Sequence, residues 1–152
     1  MTGTRVKLGK ETLAILKNFA TLNSNILIHE GNTFQTLTPT KNVMAMATVE
    51  EQFPTKFGVW DLNKFLSTVS LFSDPYFEFE DKFVIIGDEN GSSVKYQYCD
   101  ESVLTIPTRE INMPESVVSI TIDQSTFSEL QKASSVLELP DLSVVPSEDG
   151  QT

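Results

Sequence analysis

Positive charge is scarce in this chain: 11 Lys and Arg stand against 21 Asp and Glu, for a formal net charge of −10. Phosphate neutralisation needs Lys and Arg. Taken whole, the balance argues against a nucleic-acid binder and against an anionic membrane surface, unless the basic residues are sorted onto one face. Cysteine is limited to Cys99, which excludes an internal disulfide framework and suits a reducing cytoplasm. There is no apolar run of about 18 residues, and the opening "MTGTRVKLGK" lacks the apolar stretch of a signal peptide. A soluble, non-secreted protein without membrane contact is expected.

Reaction chemistry is equally thin. His29 is the single histidine and alternates with strand residues. Cys99, in "VKYQYC", reads as a small buried hydrophobe, so a Cys99–His29 nucleophilic pair is disfavoured. Glu78, Glu80 and Asp81 in "FEFED" read as the solvated side of a strand, and Asp88 and Glu89 in "GDENG" as a plain turn, ahead of any metal site. Neither a glycine-rich phosphate loop nor the EF-hand spacing occurs. No enzymatic activity, metal or cofactor is expected.

What the sequence does contain is repetition, and with 39% apolar residues it can bury a core. A strand at Val6 to Leu8 precedes a helix at Glu11 to Leu22, striped by Leu13, Leu16 and Ala20 with Ile15 and Phe19 beside them. Strands at Ile26 to Ile28, Thr33 to Leu37 and Val43 to Val49 follow, the first ended by the Gly31-Asn32 turn signal. The order then restarts. Phe57 to Trp60 is a strand, Asp61 an N-cap, and Leu62, Phe65, Leu66, Val69 and Phe72 a helical stripe. "YFEFED" is a half-buried strand, and "KFVIIGDENGSSVKYQYC" a hairpin.

Pro107 and Pro114 interrupt "LTIPTREINMPES", which has no clean period and reads as a linker. A third unit opens with a strand in "VVSITI", a cap at Asp123 or Ser125, capping-box spacing between Thr126 and Glu129, and a helix marked by Phe127, Leu130, Ser134 and Leu137. "DLSVVPSEDG" would supply its next strand and the start of a turn. The helices align at constant offset: Ile15, Leu16, Phe19 and Leu22 with Phe65, Leu66, Val69 and Phe72. A recurring unit of this kind needs a neighbour for its apolar face.

The sparse positive charge is sorted. Helix windows 10–23, 61–73 and 125–137 hold Lys10, Lys17, Lys64 and Lys132 against Glu11, Asp61 and Glu129, a net +1 that leaves −11 for the rest of the chain. At roughly 100° per residue, each lysine falls away from its helix's apolar stripe. Such lysines commonly do no more than solubilise a helix; their segregation across three helices favours a surface that tolerates a polyanion weakly and in a salt-sensitive way.

"KLGKETLAILKNFATLNSNILI" and "VWDLNKFLSTVSLF" resemble the DNA polymerase sliding clamps of T-even-type bacteriophages, over nearly the whole chain from Lys7. The resemblance implies an α+β DNA-clamp fold of repeated β-α-β-β-β units, helices on one face of antiparallel sheets. It implies a first clamp domain at residues 1–105, a linker at 106–116 and the incomplete start of a second domain at 117–152. A complete subunit of that family has four units, so a fragment is expected, with an unpaired strand edge and an unfilled apolar face at 118–152. The function implied is that of a ring-shaped processivity factor, a homotrimer when full length, in the cytoplasm of an infected bacterium. Its implied partners are encircled duplex DNA, the phage DNA polymerase and an ATP-dependent clamp loader. Lys7, Lys10 and Lys17 match basic positions of the family, as does Lys132; Lys64 rests on its helical position alone. Ile111 and Met113 are candidates for the apolar pocket that captures partner peptides.

Two other readings stand beside this one. Trp60, Tyr96 and Tyr98 would make a single-stranded nucleic-acid-binding module if they stacked bases. An acidic phage structural or interaction protein would need no DNA contact.

Overall fold

The computed structural model describes residues 4–109 and 111–145, and the chain divides into two compact units, Met1–Glu110 and Ile111–Thr152. In the first, β1 (Arg5–Lys7), α1 (Lys10–Leu22), β2 (Ile26–Ile28), β3 (Gly31–Leu37) and β4 (Met44–Phe53) are followed by β5 (Phe57–Val59), α2 (Leu62–Val69), β6 (Tyr76–Phe79), β7 (Phe83–Gly87) and β8 (Ser93–Gln97). This is the β-α-β-β-β order written twice. Gly31 opens β3 instead of closing a turn: its φ of +109° places it where side chains are disfavoured, and the reversal falls on His29 and Glu30.

The sheets do not coincide with the repeats. Their orders are β4-β3-β2-β5 and β1-β6-β7-β8, antiparallel throughout. The leading strand of each repeat thus joins the other repeat's sheet, Val6 opposite Phe77 and Ile26 opposite Val59. Neither repeat closes its sheet alone. The exchange makes the two a single cooperative body.

Between them lies one apolar core. The buried positions of the helices recur in pairs, Thr12 with Leu62, Leu16 with Leu66, and Phe19 with Val69, at the offset the helix alignment predicts. The buried face of α1 is centred on Thr12, Leu16 and Phe19, while Leu13, Ile15 and Ala20 are only half-buried. Threonine is tolerated there because its hydroxyl donates to Glu51. Aromatic rings stitch the sheets together: Phe53 meets Phe79 edge-on at 5.7 Å and Phe57 meets Phe79 at 5.2 Å across them, while Phe34 meets Phe53 edge-on at 5.1 Å within one sheet. Gly58 lets the chain cross closely at Cys99, for a Cβ there would stand 2.8 Å from the Cys99 carbonyl oxygen.

The second unit holds α3 (Gln124–Leu137), as expected, and differs around it. The strand expected in "VVSITI" does not form; Val117 is 98% exposed and Ile122 43%. A strand needs a ladder partner for its N–H and C=O groups, and the described residues of this unit contain no sheet. Residues 141–145 are likewise irregular, so the strand expected there is also absent; the turn expected beyond them lies outside the described residues. The expected unpaired strand edge is therefore replaced by irregular chain. Asp123 is the cap, accepting from the Thr126 N–H at 2.7 Å. That puts Thr126 three residues into the motif and removes the Thr126–Glu129 capping box. No residue of α3 is buried; Phe127 and Leu137 are 42% and 63% exposed, so its apolar face is indeed unfilled.

Candidate nucleic-acid interface

Helix α1 rests on the β4-β3-β2-β5 sheet, and α2 on the other, where Phe65 packs against Phe77 and Tyr96. The helices lie side by side. Facing away from the core, α1 exposes Lys10, Glu11, Ala14, Lys17, Asn18 and Thr21, and α2 exposes Asn63, Lys64 and Ser67. Lys17 joins Asn63, Leu66, Ser67 and Ser70 around a shallow 320 Å³ depression at the junction of the two helices. Three lysines and one exposed acid on a surface of small polar groups make a local positive patch on an acidic protein.

Pairing separates these lysines from Arg5, Lys7 and Lys56. Among the described residues, ion pairs join Arg5 to Glu78, Lys7 to Asp74 and Lys56 to Glu101; none involves Lys10, Lys17 or Lys64. Lys7 is thus placed on the edge strand β1 with its ammonium occupied, its pKa pushed up by the hydrogen bond it donates to Asp74. Lys132 is exposed on α3 of the second unit, and Ile111 and Met113 are exposed in irregular chain at that unit's start.

Capping fixes where the two helices begin. Asp61 accepts from the Lys64 N–H at 2.9 Å, as its position before α2 predicts. The residue before α1 is Gly9, which has no side chain to cap the helix, and Glu51 of β4 instead ties that end to the sheet by accepting from the Gly9 N–H and the Thr12 hydroxyl. Desolvation pushes the Glu51 carboxyl up, but these hydrogen bonds together outweigh it and hold its pKa below the ordinary 4.5. Sequence reasoning passes over Glu51, because it is distant in the chain from Gly9 and Thr12.

The competing sites dissolve on inspection. Tyr98 packs against Phe57 at 5.1 Å, and Tyr96 edge-on against Phe65 with its hydroxyl donating to the Asp61 carbonyl at 3.4 Å. Trp60 alone of the three is exposed, at 56%. Burial pushes the Cys99 thiol pKa up, away from thiolate chemistry. Glu78 is committed to Arg5, and Asp88 accepts from the N–H groups of Asn90 and Ser92 in its own turn. No helix among the described residues is long and apolar enough to cross a membrane.

No family model matches the chain. Three curated proteins, each named sliding clamp, are similar along nearly all of it. That of Vibrio phage KVP40 is 31% identical over 150 residues, 97% of this chain and 67% of that protein. That of Escherichia phage RB69 is 32% identical over 148 residues, 96% and 64%; that of Enterobacteria phage T4 is 28% identical over 145 residues, 94% and 63%. The chain thus spans about two thirds of the length of these relatives. With a doubled β-α-β-β-β fold and paired helices on its two sheets, the chain belongs to the bacteriophage sliding-clamp family, the processivity factors of phage DNA replication.

Proposed function

We propose that this protein works as a ring that encircles duplex DNA and tethers the phage DNA polymerase, in the cytoplasm of the infected bacterium. The observation that carries this reading is the pair α1–α2, which turns Lys10, Lys17 and Lys64 outward, without ion pairs among the described residues, on a chain of net charge −10. Helices facing phosphates with a few lysines give weak, sequence-blind contact. Weak contact suits sliding, since base readout would create stopping points. Retention is then topological and polymerase affinity is a separate property.

In this reading residues 1–105 form the first clamp domain, 106–116 link it onward, and 117–152 open the second, with Lys132 of α3 joining the DNA-facing set. Three copies of the intact protein close the ring, and an ATP-dependent loader opens it. Lys7 serves at the margin, since Asp74 competes for its charge. Ile111 and Met113, both exposed, are the apolar contacts offered to partner peptides.

The test is Lys10→Glu with Lys17→Glu in the full-length protein. Polymerase processivity on long primed templates is expected to fall while the circular-dichroism spectrum and melting curve stay put. Each lost phosphate contact should flatten the log–log salt dependence by about 0.9. Unchanged processivity overturns the basic lining, and tight binding to short open duplexes overturns topological retention.

A further inference from the structure

Asn23 and Asn25 are buried, 3% and 8% exposed, yet belong to no strand ladder and to no charged site. Their side chains converge on one distant residue. The Asn23 side-chain amide donates to the Thr105 carbonyl at 3.0 Å and to the Leu37 carbonyl at 2.8 Å. Its Oδ1 accepts from the Asn25 N–H at 3.0 Å, and Asn25 Oδ1 accepts from the Thr105 N–H at 2.9 Å. The partners fix both amide orientations, since carbonyls can only accept and the Thr105 N–H can only donate.

Both main-chain groups of Thr105 are therefore satisfied by side chains, in a stretch with no strand of its own. Between them, at the same corner, the Ser24 carbonyl accepts from the Leu62 N–H at 2.7 Å, tying the end of α1 to the start of α2. The chain from Cys99 to Thr105 is held at its other end by the Cys99 N–H, which donates to the Gly58 carbonyl at 3.0 Å.

We propose that Asn23 and Asn25 are positioning residues, which lock the chain leaving the first unit to the corner where α1 ends and α2 begins. One network thereby sets both the approach of the two basic helices and the path of residues 104–106. A buried amide suits the task better than an apolar side chain. It fixes a register by direction, and a wrong register leaves its donors and acceptors unpaired. The consequence for DNA rests on the clamp reading; the lock itself does not.

The test is amide hydrogen exchange on the whole chain, comparing Thr105 with the core strands. Asn25→Ala should speed exchange at Thr105 on the order of tenfold, while Asn25→Asp, which keeps the acceptor, should leave it near the parent rate. Asn23→Asp should behave like the alanine variant, because it loses both donations and sets a carboxylate against two carbonyls. Should Asn23→Asp fail to fold, the Asn25 pair carries the comparison alone. Equal Thr105 exchange in all variants, or acceleration spread evenly over the core, overturns the proposal. In the full-length protein Asn25→Ala should also lower processivity with every lysine intact. Thr105 responding as stated without any loss of processivity in the lysine variants would sink the basic-lining reading and leave the lock standing.

Discussion

Helices α1 and α3 carry apolar stripes of similar spacing, but Leu16 and Phe19 of α1 are buried while Phe127 and Leu137 of α3 are largely exposed. Both have a secured N-terminus, α1 tied to Glu51 of β4 and α3 capped by its own Asp123. What separates them is the sheet. In Met1–Glu110 two exchanged sheets receive two helices, whereas the described part of Ile111–Thr152 offers α3 no sheet. Amphipathicity is a demand for a partner; it becomes stability only where the partner is in place.

The difference can be broken most forcefully in the core. Phe77→Ala removes a fully buried ring that touches Phe65 and Phe79, and should cost about 3–5 kcal/mol in chemical denaturation. Phe127→Ala on α3 should shift the same transition by less than about 0.5 kcal/mol. Equal losses would mean that α3's stripe is as well covered as α1's. A smaller effect is expected at the crossing of β5: Gly58→Ala must displace the Cys99 carbonyl, at about 1–3 kcal/mol by the same measurement. An unchanged midpoint would show that the chain from Cys99 onward is not tightly held.

The smallest effect concerns the caps, and it depends on pH. The folded pKa of Glu51 lies below its ordinary 4.5, so its contribution is present above the unfolded pKa and is lost as pH falls through the folded value. Between those limits the start of α1 should loosen, seen as faster Gly9 amide exchange. Glu51→Gln should remove that pH dependence. A parent chain whose Gly9 exchange shows no extra acceleration below pH 4.5 would contradict the Glu51 tie.

Much of this was legible in the chain. The order of elements, the Asp61 cap and the recurring helix positions follow from periodicity and local chemistry, which act over a few residues. The lysines on the outer helix faces were legible for the same reason. Lys7 was not, because its ion pair with Asp74 joins distant parts of the chain. Glu51, Asn23 and Asn25 were passed over likewise, since their partners lie 80 or more residues away for Thr105 and about 40 for Gly9. The strand read in "VVSITI" failed in the opposite direction: its alternation is real, but alternation cannot supply a neighbour.

By itself the sequence determined the periodic elements, their doubling and the surplus of acid outside three short helices, because each is a property of residues near one another. Only the tertiary structure decided that β1 and β5 trade sheets, which lysines stay unpaired, and that two asparagines grip Thr105. Those outcomes depend on which distant groups meet, and hydrogen-bond direction and close packing settle that only once the chain has folded.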